Sequence, residues 1–254
     1  MNNKFAPGCL LTPMQIIRLR PLAVPLELPR SQPMRFFIPL LCLAGALSSA
    51  GAEPVDFTPL KKWLARQTEL HSVQADFTQV RALRALRDPI TTPGRLWFNA
   101  PDSLRWELGE PARTIVLRKG DIYYLVQPAK KKAERYKADS IARKGGAMGF
   151  AMMNFPIAKD FTDFDHQFET LAVNATGEKC HLEILPREAQ AQKFLQAIKM
   201  DFDTTTGHLL SFELVTREGS SMRNDFTNVR MNQKIDHRVF DYDFTGYEVV
   251  DGKN

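Results

Sequence analysis

Five histidines, His71, His166, His181, His208 and His237, are the residues of this 254-residue sequence best suited to acid–base or metal chemistry. They are scattered. None forms a His-Glu-x-x-His pair, which would put two imidazoles on one helix face, and no Gly-x-Ser-x-Gly turn is present to expose a serine nucleophile. Asp160, Asp163 and Asp165 lie among Phe161, Phe164 and Phe168, where acids solubilise one face of a helix more readily than they hold a cation. Of three cysteines, Cys9 and Cys42 fall in the N-terminal stretch. Cys180 alternates with Leu182 and Ile184, as a buried strand residue does, and no Cys/His set has zinc spacing. The residues able to do chemistry do not gather, so no catalysis and no cofactor or metal are expected.

Charge is the next candidate. The formal net charge is +5, but residues 1–52 hold Lys4, Arg18, Arg20, Arg30 and Arg35 against Glu27, which leaves about +1 for residues 53–254. The basic balance is therefore a property of the N-terminal stretch, and a nucleic-acid partner loses its support. That stretch reads as an export signal. Met34-Arg35 opens a basic start, Phe36–Leu47 is apolar, and Ala50-Gly51-Ala52 supplies small residues before Glu53-Pro54. The apolar run is shorter than the roughly 20 residues of a membrane span. Residues 1–33 read as an over-long start or a disordered extension. The expected mature protein is residues 53–254, one domain, monomeric and periplasmic. Within it, Arg113–Lys144 carries ten Lys or Arg, including Lys130-Lys131-Lys132, against Asp121, Glu134 and Asp139. This suits either anionic headgroups, an acidic partner, or a solvated hairpin.

The elements that must position these side chains are mostly strands. Thr58 and Pro59 suit a helix start, and Leu60, Trp63 and Leu64 recur at helical spacing. The period then changes to two at Val73, Ala75 and Phe77. Alternating stretches follow at Gly94–Phe98, Leu104–Leu108, Thr114–Arg118 and Ile122–Gln127, separated by turn signals such as Asn99-Ala100-Pro101-Asp102 and Lys119-Gly120-Asp121. Alternation lapses over Ile141–Phe168, read as two short helices joined near Pro156. It resumes at Leu171–Val173, Cys180–Leu185, Ile198–Phe202, Leu210–Leu214 and Met222–Val229, and Phe240–Phe244 is expected to close the set. The pattern predicts an antiparallel meander of about nine to eleven strands with two to four helices.

A sheet of that size must curl or close. Its apolar rows are large: Leu96, Phe98, Leu104, Trp106, Ile198, Met200, Phe202, Leu210, Phe212 and Phe226. A few short helices fill such a concavity poorly, and curled sheets commonly hold ligands. These ten residues are therefore the expected lining of a hydrophobic cavity. Met148, Phe150, Met152, Met153 and Phe155, in a segment without charge, are the expected lid, since methionine repacks easily around varied apolar ligands. A plain closed core is the competing reading of the same pattern.

The series Ser72-Val73-Gln74-Ala75-Asp76-Phe77-Thr78-Gln79, Gly94-Arg95-Leu96-Trp97-Phe98, Pro101, Leu104-Arg105-Trp106-Glu107, Pro111, Gly120-Asp121, Tyr123-Tyr124 and Gln127-Pro128 resembles the LolA family of periplasmic lipoprotein carriers. Phe226-Thr227-Asn228-Val229, Phe240 and Tyr247-Glu248-Val249 continue the likeness. The resemblance implies a mainly β fold: an unclosed antiparallel β-barrel, or half-barrel, with a helical lid over a hydrophobic cavity. It also implies acylated lipoprotein or other lipid cargo, received from an inner-membrane exporter and delivered to an outer-membrane acceptor. Leu96, Phe98, Leu104 and Trp106 fall where the family lines its cavity. One departure stands out. Where the best-known members carry a basic residue before the Pro and use it to latch the lid, this chain has Ala100, so apolar contact alone would hold the lid.

The same fold also suits a periplasmic sensor of lipid or lipoprotein, which a fused membrane anchor would favour. An enzyme acting on lipid would need a nucleophile–base pair that the sequence does not bring together. The export reading predicts cleavage after Ala52. N-terminal sequencing of the periplasmic protein should begin at Glu53, whereas a start upstream of Met34 would refute a signal there.

Overall fold

The computed structural model describes residues 55–138 and 158–252. Helix α1 (Thr58–Gln67) starts where Pro59 tolerates the unpaired first turn. Thr58 is its first helical residue and not its cap. Phe57 takes the cap position, one residue earlier than expected and without a side-chain bond, and Asp56 Oδ1 accepts the Thr58 N–H at 2.9 Å. Leu60, Trp63, Leu64 and Gln67 form its buried stripe.

Five antiparallel-paired strands follow as a meander: β1 (Ser72–Ala82), β2 (Ile90–Asn99), β3 (Ser103–Leu108), β4 (Thr114–Lys119) and β5 (Ile122–Gln127). A 3-10 turn (Pro128–Lys130) leads to β6 (Lys132–Lys137). Helix α2 (Phe161–Gln167) is capped by Asp160, whose Oδ1 accepts the Asp163 N–H at 2.8 Å. A second meander comprises β7 (Phe168–Thr176), β8 (Lys179–Pro186), helix α3 (Ala189–Phe194), β9 (Leu195–Asp203), β10 (Leu209–Thr216) and β11 (Ser221–Met231). A 3-10 helix (His237–Phe240) and β12 (Glu248–Asp251) end the described chain.

All twelve strands belong to one sheet, in the order β12-β6-β5-β4-β3-β2-β1-β11-β10-β9-β8-β7. The two meanders join through a single long antiparallel pairing of β1 with β11. The sheet is unclosed, with β12 and β7 at its edges. Among the described strands only β12 runs parallel to its neighbour, β6.

The sheet curls around one core. Tyr123 of β5 and Cys180 of β8 belong to the same buried cluster, together with Leu60, Trp63 and Leu64 of α1 and Phe164 of α2. Trp63 stacks on Phe202 with ring centroids 4.7 Å apart. Phe77 lies 4.1 Å from Trp106, across the face of β2. Gly94, its partner in register, allows this: a Cβ there would lie 2.1 Å from the Phe77 ring and 2.6 Å from the Glu107 carbonyl oxygen.

The C-terminal segment departs from expectation. Phe240–Phe244 is not a strand. The 3-10 helix ends at Phe240, and Tyr242, Phe244 and Tyr247 then cover Ile115, Leu117, Val126 and Ala133 on the outer face of β4–β6. Aromatic residues at every second position suit either a ladder or an irregular strap lying on apolar side chains. Here the second applies, because β4 is apolar on both faces over Ile115-Val116-Leu117. The strap delivers β12 to the edge of the sheet in place of the expected Phe240–Phe244 strand, and β6, which has no counterpart among the alternating stretches, brings the number to twelve.

Gly94→Ala is expected to lower stability by about 1–3 kcal/mol, because a backbone carbonyl cannot yield as a side chain can. Gly219→Ala meets open space and carries only the strain of φ +89. Urea denaturation of the two variants should rank Gly94→Ala as the more damaged; the opposite order would contradict the packing described.

Candidate functional site

Among the described residues, the concave face holds an apolar cavity near the C-terminal end of α1. Gln67 and Leu70 form its roof. Val73 and Ala75 of β1, Leu96 and Phe98 of β2, and Leu104 of β3 form its floor. Gly207 and Leu209 form one side, and Phe226, Val229 and Met231 of β11 the other. Its volume is about 40 Å³. One water needs roughly 10–15 Å³ on that measure, so the space suits about three waters and not a fatty acyl chain.

The roof is anchored at one atom. The Gly207 carbonyl oxygen accepts from Trp63 Nε1 at 3.1 Å and from Gln67 Nε2 at 3.0 Å, and both bonds are buried. Gln67 is the only polar side chain of the lining among the described residues, and its amide is thereby partly satisfied. Gly207 has φ +80, and the Arg66 stem lies against it. A side chain here would be both strained and crowded.

Two irregularities shape the wall. In β11 the register shifts so that Thr227 pairs with Asp76 and Arg230 with Gln74. Asn228 adopts φ 53 and donates to Asp76 Oδ2 at 2.8 Å. Asparagine tolerates this left-handed backbone better than most residues. The bulge changes the parity of the strand. The inward row runs Met222, Asn224, Phe226 and then Val229, Met231. In β10 a second shift lies between Leu209 and Ser211. It presents Leu209, and not Leu210, to the core, ahead of Phe212 and Leu214. The β10–β11 ladder runs only as far as Ser211–Asp225. Beyond it Leu209 stands on one lip of the cavity, and Val229 and Met231 on the other.

Of the expected lining, Leu96, Phe98, Leu104 and Phe226 reach the cavity. Trp106 lies deeper, between Phe77 and Phe226, and is 7% exposed. Ile198, Met200, Phe202 and Phe212 are buried in the core cluster that includes α1. Leu210 is half-buried at the β10 bulge. Met148, Phe150, Met152, Met153 and Phe155, the expected lid, lie outside the described residues, as does the N-terminal stretch. Ala100 packs against the core and donates its N–H to the His71 carbonyl at 2.8 Å. Val73 and Ala75 were legible in the alternation around Phe77. Val229 and Met231 were not, because simple alternation from Phe226 points them outward.

The groups that could do chemistry lie elsewhere. Burial pushes the Cys180 thiol up to about 11, so it is not a thiolate at neutral pH. His181 lies on the face opposite the core row Cys180, Leu182 and Ile184. It bonds Asp201 at 2.6 Å and Glu183 at 3.2 Å, and the Asp201 bond raises its pKa. Arg223 and Ser211 complete this polar network on Asp201. Among the described residues no group of His, Cys, Asp and Glu is arranged to hold a metal. Part of the basic β4–β6 region meets the C-terminal segment. Lys119 pairs with Asp241 at 3.0 Å, Arg135 with Asp251 at 2.7 Å, and Lys131 lies 4.9 Å over the Tyr247 ring.

The family described as "Outer membrane lipoprotein carrier protein LolA" matches residues 68–243. No curated protein matches the sequence. Among solved structures, a LolA superfamily protein from Nitrosomonas europaea is 10% identical, with 72% of this chain and 97% of that one covered and a TM-score of 0.37. A putative outer membrane lipoprotein-sorting protein domain from Vibrio parahaemolyticus is 12% identical, covering 71% and 96%, with a TM-score of 0.39. The Pseudomonas aeruginosa MucA/MucB complex is 16% identical, covering 75% and 62%, with a TM-score of 0.41.

Val229→Asn places an amide on the lip without adding charge. An unsatisfied amide costs roughly 1–3 kcal/mol, so affinity for a fluorescent acyl probe should fall about tenfold in a variant of unchanged fold. Trp106→Glu, by contrast, should lose the fold itself, since the ring is buried between two others. Unaltered probe binding by a folded Val229→Asn variant would place the apolar ligand elsewhere.

Proposed function

The chain belongs to the LolA family, and from that premise we propose that it is a non-catalytic periplasmic carrier that shelters the acyl chains of lipoproteins, or of another lipid, on its way from inner to outer membrane. The observation that carries this reading is the apolar cavity between α1 and the concave face of an unclosed sheet, with a lip where the β10–β11 ladder stops. An acyl chain in water orders or displaces solvent along its whole length, at about 0.8 kcal/mol per methylene. A wall of Leu, Val, Phe and Met side chains removes that cost without needing any specific bond.

The cavity volume sets a condition on the mechanism. A chain longer than a few methylenes enters only if the walls part. The roof is the element suited to part, because Trp63 and Gln67 hold that end of α1 to the β9–β10 turn through one shared carbonyl. Local opening of this kind costs less than global unfolding. In the same reading, residues 34–52 direct export and are removed, residues 53–254 act as a monomer, and the methionine-rich segment Met148, Phe150, Met152, Met153 and Phe155 covers the loaded chain. Donor and acceptor are an inner-membrane exporter and an outer-membrane receptor.

The test is a release assay. The mature protein, added to spheroplasts that display newly acylated lipoprotein, should bring that lipoprotein into the soluble fraction, and mass spectrometry of the complex should find one cargo per chain. Lipoprotein that stays with the membrane, together with a purified protein free of any lipid, would defeat the carrier reading.

A further inference from the structure

A polar depression adjoins the apolar cavity and shares Val229 and Met231 with it. Its other lining residues are Arg66, Glu69, Thr206, His208, Arg230, Asn232 and Gln233. Arg66, His208 and Arg230 thus line it together with a single acidic residue, Glu69. Neither Arg66 nor Arg230 is ion-paired with a carboxylate among the described residues, unlike Arg105, Arg223 and Arg238. Asn232 holds this corner in place. At φ 56 it accepts the His71 N–H at 2.7 Å and donates to the Glu69 carbonyl at 3.1 Å, fixing the α1–β1 turn to the end of β11. Arg66 is half-buried with its stem on Gly207.

An apolar cavity that opens into a basic, hydrogen-bonding rim has the polarity of an amphiphile with a negative head. We propose that this mouth binds the anionic headgroup of a single-chain amphiphile, a carboxylate or a phosphate, at Arg66 and Arg230 with His208 beside them, while its acyl chain enters the cavity past Val229 and Met231. Guanidinium groups suit both oxyanions, since each offers several donors in one plane. A neutral glyceryl head would leave the two charges to solvent and gain nothing from them. This rests on the reading of the cavity as an acyl site and adds the class of head that the mouth selects.

The mature protein is titrated with four amphiphiles of equal chain length by displacement of a neutral fluorescent acyl probe: palmitate, lysophosphatidate, monopalmitoylglycerol and lysophosphatidylcholine. Palmitate, lysophosphatidate or both should bind about five- to tenfold more tightly than monopalmitoylglycerol, as two partly exposed charge pairs allow. The advantage should shrink as salt is raised. Preference for palmitate alone identifies a fatty acid as the fitting ligand, and preference for lysophosphatidate alone a lysophospholipid. The double variant Arg66→Gln/Arg230→Gln should lose the preference and keep the affinity for monopalmitoylglycerol, which also shows that it is folded. Equal affinity of the wild-type protein for all four overturns the headgroup proposal and leaves the acyl site standing. Binding of none of them, probe included, overturns both.

Discussion

The structure depends on one constraint: a twelve-stranded sheet that curls without closing has an apolar concave face, and something other than the sheet must cover it. Helix α1 does so. Its stripe of Leu60, Trp63 and Leu64 lies in the core cluster, and the Trp63 indole both stacks on Phe202 and donates to the Gly207 carbonyl. The apolar contact supplies most of the energy, while the hydrogen bonds fix where the helix ends relative to the β9–β10 turn. The cavity is what remains where this cover stops, past Gln67 and Leu70.

The irregularities of the sheet then decide what the cavity looks like. A regular β11 would turn Val229 and Met231 to the outside, and a regular β10 would do the same to Leu209. The bulge at Asn228 and the shift at Leu209/Ser211 reverse both, and they lie on either side of the point where the β10–β11 ladder ends. Bulges bend and twist a strand locally. Here they coincide with the lip of the apolar space and with the beginning of the basic rim.

Far from the cavity, the opposite face is finished by different means. Over β4–β6 the strap Tyr242–Tyr247 buries a second apolar cluster and brings Asp241 and Asp251 to Lys119 and Arg135. Over β8–β11 a polar network centred on Asp201 does so without any cover. Of the dense basic stretch that the sequence displays, Lys119 and Arg135 thus find their counterparts in the C-terminal acids, and the less conspicuous Arg66 and Arg230 stand at the polar depression beside the cavity.

The sequence by itself determined the antiparallel meander, the opening helix, the rows Leu96/Phe98 and Leu104/Trp106, the burial of Cys180 and the family. These follow from short-range regularities: side-chain period, turn residues and caps act within a few positions of one another. Leu96, Phe98 and Leu104, which alternation places on one face, line the apolar cavity. Tertiary structure alone decided that Trp106 packs on Phe77 away from the cavity, that Leu209 replaces Leu210, that Val229 and Met231 turn inward, and that Phe240–Phe244 lies as a strap. Each of these depends on partners far away in the chain. The β11 bulge exists only against β1, the roof only against Gly207, and the strap only against β4–β6. A periodic pattern specifies which side chains share a face, but a single inserted residue reverses that face, and whether it is inserted is settled by the pairing of strands about 150 residues apart.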